Sequence, residues 1–349
     1  MANFITQLLN DRSYGPNKLF QQIIGVNPDL EFLFQELEDW MQKGYVEDLS
    51  PIVNDSSGGV VTRPRGATPS VSSKIIARHA SVLITELRKR VFEAYKDLNE
   101  PAKVASLFVP LFDGIFSQLD AQKFPLVVFT TNYDPAVEVF CQYCSDSYEL
   151  EDGFSTDQAL GAFRWKRENL QSFAVHGKKK TIVLFKLHGS ARWVRKSEDV
   201  IKLPFPIYAE AGLDYANVLI YPATRKVAMD DPFFTAYDYF QRTMDNCGCC
   251  IVIGYSFRDY DALTKLVSAS TFNPRLKLVV VDPNSKALCQ NLSQKGIRCT
   301  PAPQRFERDG GYLQLVAQHV VESIRSQPNQ KASLLCPSNT DTRSIGTPA

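Results

Sequence analysis

The sequence predicts an α/β fold, a Rossmann-like doubly wound parallel sheet with a helical insertion. Three observations carry this. Past Pro125, short β-branched apolar runs alternate with helical segments. The runs are continuous rather than alternating, which is the pattern of strands buried on both faces of a parallel sheet. Each run also ends in a polar signature, as strands do when their carboxyl ends line a ligand crevice.

The elements follow in order. Leu30, Leu33, Phe34, Leu37, Trp40 and Met41 share one helical face, with Asp29 placed to cap it. Residues 51–72 are rich in Gly, Pro and Ser and read as a loop. Helical patterns span about 73–98 and 103–119, so residues 27–122 form a mainly helical insertion. Strands are expected at Leu126–Phe129, Thr181–Gly189, Cys250–Phe257 and Leu276–Pro283. Helices follow the first, third and fourth of these, the last of them "SKALCQNLSQ", and the short "GIRCT" comes after it. A last amphipathic helix, 311–326, closes a domain of residues 1–326. Residues 327–349 are polar and patternless, and a disordered tail is expected there.

Composition narrows the function. A net charge of +1 supplies no field to draw the chain onto nucleic acid or an anionic membrane. No run approaches the roughly 20 apolar residues that cross a bilayer, and the start lacks the features of a secretory signal. A cytoplasmic location is expected. The basic run Gly177–Thr181 reads as a solvated turn. The Cys141/Cys144 pair falls within a helical pattern and Cys247–Cys250 runs into a strand, so neither forms a zinc knuckle. No metal is expected, and the cysteines read as small buried hydrophobes.

Chemistry concentrates at the strand ends: "TTNYD" after Phe129, "HGS" after Leu187, "GYSFRDYD" after Ile253 and "DPNS" after Val281. Gathered on one rim, they offer amide, carboxylate, imidazole and hydroxyl groups. Gly189 and Gly254 allow close main-chain approach. Asp134-Pro135 opens a helix whose amino end favours anions. A dinucleotide fits this inventory, with Tyr133 or Phe257 beside a ring and Asp282 or Asn284 at a ribose. Taken singly, Asn132 is an ordinary turn former, His188 a hydrogen-bonded structural histidine, and Ser256 with Asp259 a helix cap. His176 reads as surface. No GxSxG elbow and no GxxxxGK[ST] loop occurs.

In order, "TTNYD", "KLHGS", "IYPATRK", "IVIGYSFRDYD" and "VVVDPN" resemble the sirtuin-like family over about 15–320, especially its zinc-free branch of NAD-depleting bacterial and archaeal defence proteins. The resemblance implies that Asn132 positions the nicotinamide ribose or the attacking water, with Thr131, Tyr133 and Asp134 alongside. It implies that His188 is general base at the ribose hydroxyls, next to Gly189. Gly254, Ser256 and Phe257 would line the phosphate and ribose side, and Asn284 the adenosine ribose. The implied activity is hydrolysis of NAD to nicotinamide and ADP-ribose in antiphage defence, and such domains often form homo-oligomers.

Two departures matter. The four-cysteine zinc module of sirtuin deacylases has no counterpart here, which ranks NAD-dependent protein deacylation last. The family's first strand and its Gly-Ala-Gly-x-Ser loop are also missing ahead of "YGPNKLF", Tyr14–Phe20. The expected result is a sheet edge left open where that strand belongs, and weaker NAD binding. A non-catalytic module binding NAD, ADP-ribose or a partner protein is the rival expectation.

Overall fold

The computed structural model describes residues 100–117, 124–157, 162–170, 179–196, 198–204 and 230–303. Helix α1 (Pro101–Phe116) starts on a proline, which suits a position where no N–H is needed. Strand β1 (Leu126–Thr130) leads through Asp134-Pro135 into α2 (Ala136–Tyr143). Then come β2 (Tyr148–Glu151), β3 (Phe154–Asp157), β4 (Ala162–Trp165), a 3-10 turn at Arg167–Leu170, β5 (Lys180–Lys186), β6 (Trp193–Lys196) and β7 (Asp199–Lys202). The last part is α3 (Phe233–Asn246), β8 (Cys249–Ile253), α4 (Tyr260–Phe272), β9 (Lys277–Val281), α5 (Ser285–Gln294) and β10 (Cys299–Ala302).

The protein is an α/β structure with parallel sheets. One sheet has the order β1-β5-β2 and the other β10-β9-β8, each parallel throughout. In the first, Leu126 to Thr130 stand opposite Ile182 to Lys186. In the second, Cys249 to Ile253 stand opposite Lys277 to Val281. All four expected strands are present; β5, β8 and β9 are trimmed at their polar ends where the chain turns, while β1 runs one residue further, through Thr130.

Two expectations need correcting. A third sheet, antiparallel with order β3-β4-β7-β6, was not foreseen. Its four-residue strands carry charges that obscure the alternation, and those charges pair: Arg164 lies 3.1 Å from Asp157 and 3.4 Å from Asp199. The basic run is not simply a turn either, because Lys180 and Thr181 belong to β5. Lys180 Nζ sits 2.5 Å from Asp113, an anchor between β5 and α1.

The core lies on both faces of the parallel sheets. On one face Val183, Phe185, Leu278 and Val280 pack with α3 and α4; on the other Ile182, Leu184, Val279 and Val281 pack with α1 and α2. Phe140, fully buried, anchors the second face against Phe112 and Tyr148 at ring separations of 5.1 and 4.8 Å. Burying such a ring is worth about 1.5–3 kcal/mol. Of the insertion at 27–122, α1 is the part within the described residues; the 51–72 loop, His176, "IYPATRK", the 311–326 helix and the tail lie outside them. No helix among the described residues is long and apolar enough to cross a membrane.

Candidate functional site

The parallel strands deliver their polar ends to one rim. After β1 the chain makes a tight turn, with Asn132 N–H donating to Thr130 Oγ1 at 3.1 Å. Asp134 Oδ1 accepts from Ala136 N–H at 3.0 Å, holding the first turn of α2. The residue assigned as helix cap is Pro135, so Asp134 stands one position further out than a simple cap reading expects.

Beneath this turn lies Lys186, the last residue of β5, with its side chain 2% exposed. Its ammonium donates to the carbonyls of Asn132 at 3.2 Å and Asp134 at 2.5 Å, and sits 3.6 Å from Glu138 Oε2. A buried cation needs such partners. Lys186 therefore clamps the "TTNYD" turn from below and fixes where Asn132 is presented. Asn132 itself is exposed.

His188 follows two residues later and is buried. Its Nε2 lies 2.6 Å from Asp259 Oδ2, at the end of the loop after β8. Asp259 has three tasks: it binds His188, accepts from Tyr237 O–H at 3.3 Å, and caps α4 by accepting from the N–H groups of Asp261 and Ala262. With the carboxylate ionised, the shared proton rests on Nε2, which leaves proton acceptance to Nδ1. The carboxylate also stabilises an imidazolium once one forms. The pair is chemically a histidine–carboxylate dyad. Tyr133 packs beside it, ring centroids 6.4 Å apart, and Tyr133 C=O accepts from Ala191 N–H at 2.9 Å, which ties "TTNYD" to "HGS".

Gly189 and Gly254 have φ of 86° and 61°, the left-handed region that glycine enters without strain. Phe257 also has positive φ, 59°, and is buried. A non-glycine aromatic in that region is uncommon. Here it turns the chain so that Asp259 reaches His188.

A cavity of about 590 Å³ opens at this rim and runs down between β1 and β8. Thr131, Asn132, Asp134, Gly254 and Phe257 all line it, at its polar mouth. Ser256 lies exposed on the same turn. Asn284 is exposed at the start of α5, away from the cavity lining, where its own N–H donates to Asp282 Oδ1 at 2.7 Å.

No protein-family model matches this chain, and no curated protein matches it in sequence.

Three participants were not foreseen. Lys186 had a signal, because a lysine within "VLFKLHG" must be paired if the strand is buried. Asp259 was legible only as a cap, and its bond to His188 spans two sheets. Tyr237 lies on the apolar face of α3 and gave no sign of its polar role. Of the described cysteines, Cys141, Cys247 and Cys289 are buried as expected, whereas Cys144, Cys249, Cys250 and Cys299 are half-buried. Burial pushes the Cys247 thiol up to about 12, the neighbouring Cys249 adding to the shift.

Proposed function

We propose that this chain is a sirtuin-like NAD-cleaving domain, in which the two parallel sheets are halves of one Rossmann-like doubly wound sheet. The observation that carries the reading is the rim. Asn132, presented from β1, lines the cavity, and the buried His188–Asp259 dyad joins the chain after β5 to the chain after β8 beside it. His188 is next in sequence to the lining residue Leu187, and Asp259 is two residues from the lining residue Phe257. The cavity volume lies within the range of about 300–1,000 Å³ usual for small-molecule sites.

In this reading the nicotinamide ribose sits at the mouth. The N-glycosidic bond breaks, its electrons leave with nicotinamide, and water adds to the ribosyl carbon. Asn132 orients the ribose or the water. His188, held by Asp259, accepts the proton that the incoming water loses. The products are nicotinamide, ADP-ribose and a proton. The resemblance in "TTNYD", "KLHGS" and "GYSFRDYD" supports this substrate, and it supports NAD depletion in phage defence as the biological role.

The rival reading, a module that binds NAD, ADP-ribose or a partner protein without chemistry, draws on the burial of His188, which is only 4% exposed. Nicotinamide release from millimolar NAD by the chain, beside His188→Ala and Asn132→Ala, separates the two. Release lost in both variants supports the hydrolase. A folded parent that binds NAD or ADP-ribose but releases no nicotinamide supports the module.

A further inference from the structure

Stability gives no reason for the buried pair of Lys186 and Glu138, and the contacts of the pair point to another role. We propose that Lys186 is a positioning residue of the NAD-cleaving reaction. With Glu138 as its counter-charge it holds the Asn132 turn in place against the His188 segment, and it does not touch the substrate. The proposal rests on the NAD-cleaving reading.

A cation at the end of a buried strand needs a cause. Thr181–Lys186 of β5 are all buried, and an apolar side chain would suit the last of these positions as well as the others. Buried ion pairs replaced by apolar groups of similar volume are often neutral or stabilising. Glu138 is buried too, and among the described residues neither of its carboxylate oxygens has a hydrogen bond. Its contribution is charge, set 3.6 Å from the Lys186 ammonium.

What the pair secures is main chain. An ammonium has three N–H groups, and Lys186 has three partners for them: the carbonyls of Asn132 and Asp134, and Glu138. The two carbonyls stand on either side of Tyr133, so the path of the turn is fixed whatever its side chains do. Main-chain bonds join the same two segments, Leu187 N–H donating to Thr130 C=O and Ala191 N–H to Tyr133 C=O, each at 2.9 Å. Of these ties the Lys186 one is made by a side chain, and a substitution can remove it.

The far end of the segment agrees. Arg192 is buried and donates twice to Leu203 C=O, at 2.9 and 2.7 Å. Burial lowers the basicity of its guanidinium, and the Glu138 charge is the foremost influence against this. Glu138 thus serves cations at both ends of "KLHGSAR", Lys186–Arg192, with His188 between them. Such a frame matters to a reaction, because a misplacement of about 1 Å can cost about 10²-fold in rate.

The double variant Lys186→Met with Glu138→Gln removes both charges at once and strands neither. Its control is Lys202→Met with Asp152→Asn, the neutral form of a buried pair that joins β7 to the turn before β3. Nicotinamide release is measured in parent, double variant and control. Amide exchange is read at Asn132, Leu187 and Ala191, with the β9 amides as reference. Expected in the double variant is a kcat lower by about tenfold or more, with KM within about threefold of the parent. Exchange at the three amides should be faster by about tenfold or more relative to β9. The control should stay near the parent in all of these.

Parental kcat in a folded double variant overturns the proposal and makes the pair structural. A rise in KM in place of the fall in kcat makes Lys186 a substrate contact and overturns it too. So do unchanged exchange at the three amides and equal losses in the control. Should the neutral pair fail to fold, Lys186→Arg carries the same test with the same expected losses. It keeps a charge beside Glu138 but not the compact ammonium that meets both carbonyls. A parent that releases no nicotinamide removes the NAD-cleaving reading, and exchange alone then upholds or overturns the clamp.

Discussion

His188 Nε2 and Asp259 Oδ2 lie 2.6 Å apart across 71 residues of sequence, joining the ends of strands that belong to two separate sheets. Both side chains are buried. Asp259 also fixes the first turn of α4, so the dyad and the helix share one carboxylate.

Asp259→Asn separates these roles, because asparagine caps a helix about as well as aspartate. The folded protein should keep its melting temperature within a few degrees. If His188 is the base, nicotinamide release should fall by about 10²-fold or more, the usual worth of a positioned general base. The loss should appear in kcat rather than in KM. Unchanged kcat would remove the dyad from the reaction.

Lys186→Met leaves Glu138 buried with its ion-pair partner gone. Breaking a buried pair costs about 3–5 kcal/mol. Urea denaturation should show a loss of that order. Restoring neutrality with Glu138→Gln in the same chain should recover a large part of it. An additive double mutant would mean that the pair is not coupled.

Asp113 ties α1 to β5 and to the hydroxyl of Tyr148. Burial pushes its carboxyl up, but the hydrogen bonds from Lys180 and Tyr148 outweigh this and hold it below the ordinary value. A carboxylate favoured by folding contributes stability above its unfolded pKa of about 3.9, and that contribution is lost as pH falls through the lower folded value. Asp113→Asn should therefore lower the melting temperature at pH 7. The gap to the parent should close as the pH is taken below about 4. A gap that persists in acid would assign the effect to packing.

Cys247 and Cys289 have thiols pushed up to about 12, chiefly by burial. Thiolate is the reactive form. Iodoacetamide at pH 7.5 should leave both unmodified in the native chain and label both in denaturant, as read by peptide mass spectrometry. Rapid native labelling of Cys247 would show that α3 opens away from β8.

Much of the fold was legible because its strands announce themselves. "LVVF", "TIVLF", "CIVI" and "LKLVVV" are β-branched, continuous and followed by turn chemistry, so their existence and their succession along the chain follow from local pattern. The "SKALCQNLSQ" helix was placed residue for residue. The antiparallel sheet was not legible, since strands as short as "AFRW" and "DVIK" mix charge with apolar residues and only their pairing reveals them. At the site, Asn132 and Asp134 could be found from the sequence as turn residues beyond a strand. That Lys186 supports them could not, because its partners are main-chain carbonyls 52 and 54 residues away.

By itself the sequence determined where the parallel strands β1, β5, β8 and β9 lie, which of their ends are polar, and which residue types follow them. Those properties are local: they depend on side-chain periodicity and on what glycine, proline and asparagine allow. Tertiary structure alone decided that His188 meets Asp259 and that β1 and β8 flank an apolar trough. Both depend on how distant strands are ordered across a sheet. Strand order arises from packing helices on two faces at once, and no short window of sequence encodes it.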